Sequence, residues 1–365
     1  MPDSFRSTRR KFLGCSAGAL LAGALPKVSL ASATPQSATS HRIIIDTDPG
    51  IDDAMAIFLA VRSPELKIEA ITPVSGNVPL SSTLPNALKL LEIAGRTDIP
   101  VAAGAATPLV RHLVTAKSVH GNNGLGGVEF PAPKIQPVTE TATEIIRRIV
   151  RKNPGEITIV AVGPLTNIAT VLKSDPSVAT LVKSIVLRGG SLSGGNVTPA
   201  AEFNFYVDPE AARIVFDSGI PITMVGLDVT HQVLLKEEHL RALEAAQNPI
   251  AQAAGKIMRA TFERMRKGSD ATVVAMHDPL AVSYLVDPTI LTLQDYFVQI
   301  ETTGELTAGE SVGYLRGPAR ISPPLETGLA FSDVPAPDFK ANTKVAVKVD
   351  PDKFFRLLLS RLTST

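Results

Sequence analysis

Two hydrophobic patterns take turns along the chain. Short runs that are apolar on both faces, many of them β-branched, read as strands. They cover residues 42–46 (RIIID), 67–76 (KIEAITPVSG, strand then loop), 156–163 (EITIVAVG), 182–190 (VKSIVLRGG) and 221–229 (PITMVGLDV). Between them apolar residues recur every three or four positions, the helical spacing. Those segments are 52–63, 80–96 with a glycine near its end, 165–175 and 208–219. A longer helical region over 240–269, a hairpin over 296–317 and an amphipathic closing helix over 351–362 complete the pattern. It predicts an α/β fold, a single domain whose largely parallel, mixed central sheet is flanked by helices.

In such sheets ligands gather beyond the carboxyl ends of the strands. Polar clusters fall there repeatedly: DTDPGIDD (46–53) after the first strand, SGN (75–77) after the second, then GPLTN (163–167), RGGS (188–191) and LDVTH (227–231). Their convergence predicts the site at the C-terminal ends of the strands.

The first 33 residues break the pattern. Arg9-Arg10 precede Phe12-Leu13 and a small-residue apolar run, which closes on Ala31-Ser32-Ala33. This arrangement reads as a twin-arginine export signal with a small-residue cleavage site. The apolar run from Phe12 to Leu25 is shorter than the roughly 20 residues of a membrane span. The expectation is a signal over 1–33, a flexible lead-in over 34–41 and one domain over 42–365, exported to a periplasm or beyond the cell. No membrane contact is expected once the signal is removed.

Composition narrows the chemistry. The net charge is +1 over 365 residues, which does not favour a nucleic-acid partner held by bulk electrostatics. Without residues 1–33 the chain keeps 31 basic and 34 acidic side chains, a net of −3. The single cysteine, Cys15, leaves with them, so thiolate catalysis, thiolate metal sites and disulfides are all excluded from the remainder.

Asp46, Asp48, Asp52 and Asp53 crowd four carboxylates into eight positions at a strand–turn–helix junction. A helix N-terminus favours a negative charge by about 0.3–1 kcal/mol, which accounts for one or two of them. Two like charges about 4 Å apart repel by about 1 kcal/mol in water and about 4 kcal/mol at an effective dielectric of 20. Either some carboxyls keep their protons or a hard cation such as Ca²⁺ or Mg²⁺ sits among them. A solvated acidic loop that caps its helix is the alternative.

The stretch DTDPGIDDAMAIFLA resembles the N-terminal signature of the inosine-uridine-preferring nucleoside hydrolase family. Further stretches match in order: VSGN (74–77), HGNNGLGG (120–127), VGPLTNIA (162–169), GGNVTPAAEFNFYVDPEAARIVF (194–216), MHDPLAV (276–282) and ETTGELTAGES (301–311). The resemblance spans essentially everything after the signal. It implies a Rossmann-like fold and hydrolysis of the N-glycosidic bond of ribonucleosides, giving ribose and free base, with one Ca²⁺.

Residue by residue, the resemblance implies that Asp48, Asp53 and Asp278 bind the metal with their carboxylates and Val162 with its main-chain carbonyl. Asp48 is then the base that activates water, and His277 assists departure of the nucleobase. Asp52, Asn77 and Asn204 are implied to contact the ribose, Asn196 and Glu202 its 5′-hydroxyl end, and His120 a loop closing over the substrate. Asp46 fits a supporting role behind Asp48. Tyr206 fits the core better than the pocket. Base-contacting side chains are expected between Lys236 and Lys267, and a homodimer or homotetramer is implied.

One departure stands out. Family members commonly have Met-Gly-Gly-Gly where this chain has Arg188-Gly189-Gly190-Ser191. An arginine there would narrow the pocket, bind an anion or turn into a salt bridge. The absence of Trp from the chain argues against the subclass that stacks purines between tryptophans. The missing cysteine argues against the cysteine-type pocket. What remains resembles the family's histidine-type group, often of broad or pyrimidine-accepting specificity. Two rival readings differ in class. An aspartate-nucleophile phosphohydrolase also uses Asp-x-Asp after its first strand, but gives HDP (277–279) no role. An exported Ca²⁺-dependent nucleoside-binding protein without turnover would keep the same binding residues.

Overall fold

The computed structural model describes residues 40–266, 273–315 and 340–364. The expected signal over 1–33 and most of the lead-in lie outside the described residues. Among those described, no helix is long and apolar enough to cross a membrane.

Ten strands form. They are β1 (His41–Thr47), β2 (Leu66–Pro73), β3 (Ile157–Ala161), β4 (Ser184–Arg188), β5 (Ile222–Val225), β6 (Leu234–Leu235), β7 (Val274–Ala275), β8 (Leu291–Ile300), β9 (Ser311–Leu315) and β10 (Thr343–Val349). Eight build the central sheet in the order β2-β1-β3-β4-β5-β10-β8-β9, while β6 and β7 pair separately. The strands from β2 to β10 along that order are parallel, and β8 is antiparallel to both its neighbours. The sheet is therefore mixed but largely parallel.

Alternation along the strands divides the interior in two. Ile43 and Ile45 join one buried cluster and Ile44 the other, because successive side chains of a strand face opposite sides. On the first side pack α1 (Ile51–Val61) and α2 (Leu80–Ile93). The second side carries, after the single turn α3 (Lys117–His120), α4 (Ala142–Lys152), α5 (Thr166–Ser174) and, beyond the short α6 (Phe203–Val207), α7 (Pro209–Phe216). After the single turn α8 (Leu227–Thr230) the chain returns to the first side with α9 (Glu237–Ala245), α10 (Pro249–Arg266), α11 (His277–Val286) and α12 (Pro351–Thr363). Ten of the eleven residues of α1 are buried, so it runs through the interior. Gly95, at φ 67°, lets the chain leave α2 through the left-handed region that a side chain disfavours.

Three details differ from the pattern of apolar positions. The helical region over 240–269 is two helices. Asn248 accepts the N–H of Ala251 at 2.9 Å and Pro249 opens the next helix, so the chain restarts there. The helix α4 is not among the segments read from the sequence, although Ile145, Ile146, Ile149 and Val150 recur at helical spacing and Thr141 and Glu144 cap one another's backbone at its start. The strand β10 inserts between β5 and β8; its exposed Lys344 and Lys348 disguise an inner strand as surface.

Candidate active site

The chain leaves β1 through Asp48-Pro49-Gly50 and enters α1 at Ile51, so Asp52 and Asp53 occupy the first helical turn. Asp278 stands likewise in the first turn of α11. Two helix N-termini thus bring their positive ends to one cluster of acids. Ligand oxygens of Asp52, Asp53 and Asp278 lie within 4.8 Å of one another, and all three residues are buried.

Asp53 is the most thoroughly held. It accepts from Thr47 Oγ1 at 2.5 Å, from the Asp48 and Gly50 N–H groups at 3.2 and 2.9 Å, and from Asn77 Nδ2 at 2.9 Å. Asp48 lies beside it, fully buried. Its Oδ2 accepts the Asn77 N–H at 2.6 Å, while its Oδ1 has no partner. Gly76 and Gly163 close around this carboxylate so tightly that a Cβ on either would collide with it. Asp278 Oδ1 is likewise buried and without a hydrogen bond, with Arg188 Nε 3.4 Å away. Asp46 is set apart: Oδ2 accepts from Thr72 and Asn167 at 2.6 and 2.8 Å, bracing β1 against β2 and α5.

A cavity of about 440 Å³ opens against this cluster, a size suited to a small organic ligand. Of the expected residues, Asp52, Asn77, His120, Val162, Asn196, Asn204, His277 and Asp278 line it. Asp48, Asp53 and Glu202 do not; they lie behind the lining, each almost fully buried. Asn204 Nδ2 donates to the carbonyls of Val162 and Arg188 at 2.8 and 3.1 Å, and Asn196 Oδ1 accepts the Phe203 N–H at 3.0 Å. Glu202, expected near a 5′-hydroxyl, instead accepts Arg188 Nη1 at 2.5 Å and the N–H groups of Gly190, Asn204 and Phe205. Tyr206 is half-buried and lines a separate groove with Arg111 and residues 305–308.

The family model for inosine-uridine preferring nucleoside hydrolase matches residues 43–356. The chain belongs to that family. It is 44% identical over 315 residues to the non-specific ribonucleoside hydrolase RihC of Salmonella typhi, covering 86% of this chain and 95% of the relative. Among solved structures, a plant nucleoside hydrolase, PpNRh1, superposes with a TM-score of 0.80 at 38% identity, covering 89% of this chain and 99% of its own. A purine-preferring ribonucleoside hydrolase from Gardnerella vaginalis gives 0.77 at 31% identity, covering 88% and 98%.

In this nucleoside hydrolase the electrostatics follow from burial. Burial drives the carboxyls of Asp48 and Asp278 well above the ordinary range, and neighbouring aspartates push the same way. Burial and Asp52 raise Asp53 to about 6, and burial raises Asp46 to about 7 against its bonds to Thr72 and Asn167. For Asp52 burial also works upward, but the protonated forms of His277 and His120, with Arg188, outweigh it and hold the group low. Burial pushes His277 down to about 3 and His120 to about 4. With both imidazoles neutral near pH 7, the permanent cations among the described residues that line the cavity are Arg188 and Arg264.

His120 ends the turn α3 and accepts the Ile51 N–H through Nδ1 at 3.1 Å, so its proton sits on Nε2. His277 Nδ1 lies 2.8 Å from Thr230 Oγ1. Such a cluster of buried all-oxygen donors, two of them without a hydrogen bond, fits a hard divalent metal ion. Spacing alone did not identify Thr261, Arg264 and Met265, which line the cavity from the end of α10. Nor did it reveal Ser118 and Val119, which line it from α3. The region between Lys236 and Lys267 was the only signal for the first three.

Proposed function

We propose that this enzyme hydrolyses ribonucleosides to ribose and free base, with calcium held by Asp48, Asp53, Asp278 and the Val162 carbonyl. The observation that carries the reading is the pair of buried oxygens without a hydrogen bond, Asp48 Oδ1 and Asp278 Oδ1, beside a cavity lined by polar side chains. A bound calcium ion would supply Lewis-acid polarisation of water and a clamp for the vicinal hydroxyls of ribose.

The protein's own groups account for the rest. Asp48 Oδ1 receives the proton of the attacking water, while the Asn77 N–H keeps Oδ2 fixed. Asp52 accepts from the 2′-hydroxyl. Asn204, its Nδ2 occupied, offers Oδ1 to the ribose. Asn196, its Oδ1 occupied, offers Nδ2 toward the 5′ oxygen. Cleavage builds positive charge on the sugar, which Asp52 and the amide oxygens stabilise. With Thr230 donating to Nδ1, neutral His277 presents Nε2–H to the departing base.

The activities of the relatives support the substrate class. Residues 1–33 read as an export signal, and the assembly as a homodimer or homotetramer. Purified protein with calcium is expected to release reducing sugar from uridine and inosine. Nucleoside binding without ribose release would instead identify a binding protein.

A further inference from the structure

Arg188 ends β4 with its side chain almost fully buried, and it lines the cavity. Nη1 is anchored on Glu202 Oε1 at 2.5 Å. Glu202 is itself held by three backbone N–H groups, so the guanidinium has little freedom. Its Nε reaches Asp278, 3.4 Å from Oδ1. That is the oxygen of Asp278 left without a hydrogen bond. Arg188 therefore stands between Glu202 and the acidic cluster, with Nη1 on the glutamate and Nε toward the cluster.

We propose that Arg188 is a resident counter-cation of the metal site, an inference that rests on the metal reading above. It steadies Asp278 when no ion is bound and competes with the ion for Asp278 Oδ1, so the site holds its metal less tightly and exchanges it more readily. A positive charge at this range, even partly offset by Glu202, opposes a second cation strongly enough to change its affinity by about tenfold.

Calcium titration calorimetry and thermal unfolding in chelator test this on the full-length protein, Arg188→Met and the double variant Arg188→Met, Glu202→Gln. The double variant avoids leaving a buried, unpaired glutamate if the single variant does not fold. The folded variants are expected to bind calcium about tenfold more tightly than the parent. Their metal-free forms are expected to melt at lower temperature, so the gap between loaded and metal-free melting widens. A purely structural arginine would weaken metal binding when removed. A folded variant that binds with the parent's affinity or more weakly overturns the proposal while leaving the metal reading intact. A parent that binds no calcium removes both.

Discussion

The N–H of Asn77, in the loop after β2, donates to Asp48 Oδ2 at 2.6 Å, while the other oxygen of the same carboxylate has no partner. One oxygen fixes the side chain and the other keeps a free lone pair, as the proposed base requires. Asp48→Ala is therefore expected to fold, because it only shortens a side chain enclosed by Gly76 and Gly163. It should lose about 10²–10⁴-fold in kcat. Reducing-sugar release and circular dichroism check the two halves, and parental turnover in the variant would remove Asp48 as the base.

Chelation is expected to abolish hydrolysis and destabilise the protein together. A ligand at one hundred times its Kd contributes about 2.7 kcal/mol, or about 5 °C in Tm for a domain of this size. Both should return with calcium. Full activity in excess chelator would argue against a metal in the cluster.

Because Asp52 and the metal are assigned to the vicinal hydroxyls, 2′-deoxyuridine should be a poor substrate. A site built around a hydroxyl rejects its absence by about 10⁴-fold. The comparison of kcat/KM with uridine is direct, and equal values would displace Asp52 from that role.

His120 gives a pH prediction. Burial holds it at about 4 in the folded protein, below the ordinary imidazole value of 6.5. The unfolded chain therefore takes up the proton first as pH falls. Stability linked to His120 is complete above about 6.5 and is lost as pH falls toward 4, by about 3 kcal/mol. Denaturant unfolding of the parent and His120→Gln at pH 7 and pH 4.5 should show the parent losing more. Equal losses would mean that His120 is not buried as a neutral imidazole.

Asn167 donates to Asp46 Oδ2 at 2.8 Å and accepts the Ala105 N–H at 2.7 Å. Asn167→Ala leaves both buried groups short of a partner. It is expected to cost about 2–4 kcal/mol, read as a lower urea midpoint. An unchanged midpoint would show that Asn167 is not a strut.

The sequence by itself determined the elements and the general position of the site. Strand and helix periods are local, so RIIID, the acid-rich turn and the helix after it were legible from residues within a few positions of one another. The family stretches further linked Asp48, Asp53 and Asp278 although they are far apart in the chain. Only the tertiary structure decided which groups share the charge. It brought Arg188 of β4 onto Glu202 and Asp278, put Glu202 behind the cavity lining, and set Thr230 against His277. It also placed β10, a segment not picked out from the sequence, within the sheet. The physical reason is that periodicity records which face of an element is buried. Which charged side chain meets which depends on strand order and on the convergence of two helix N-termini, and no local pattern carries that.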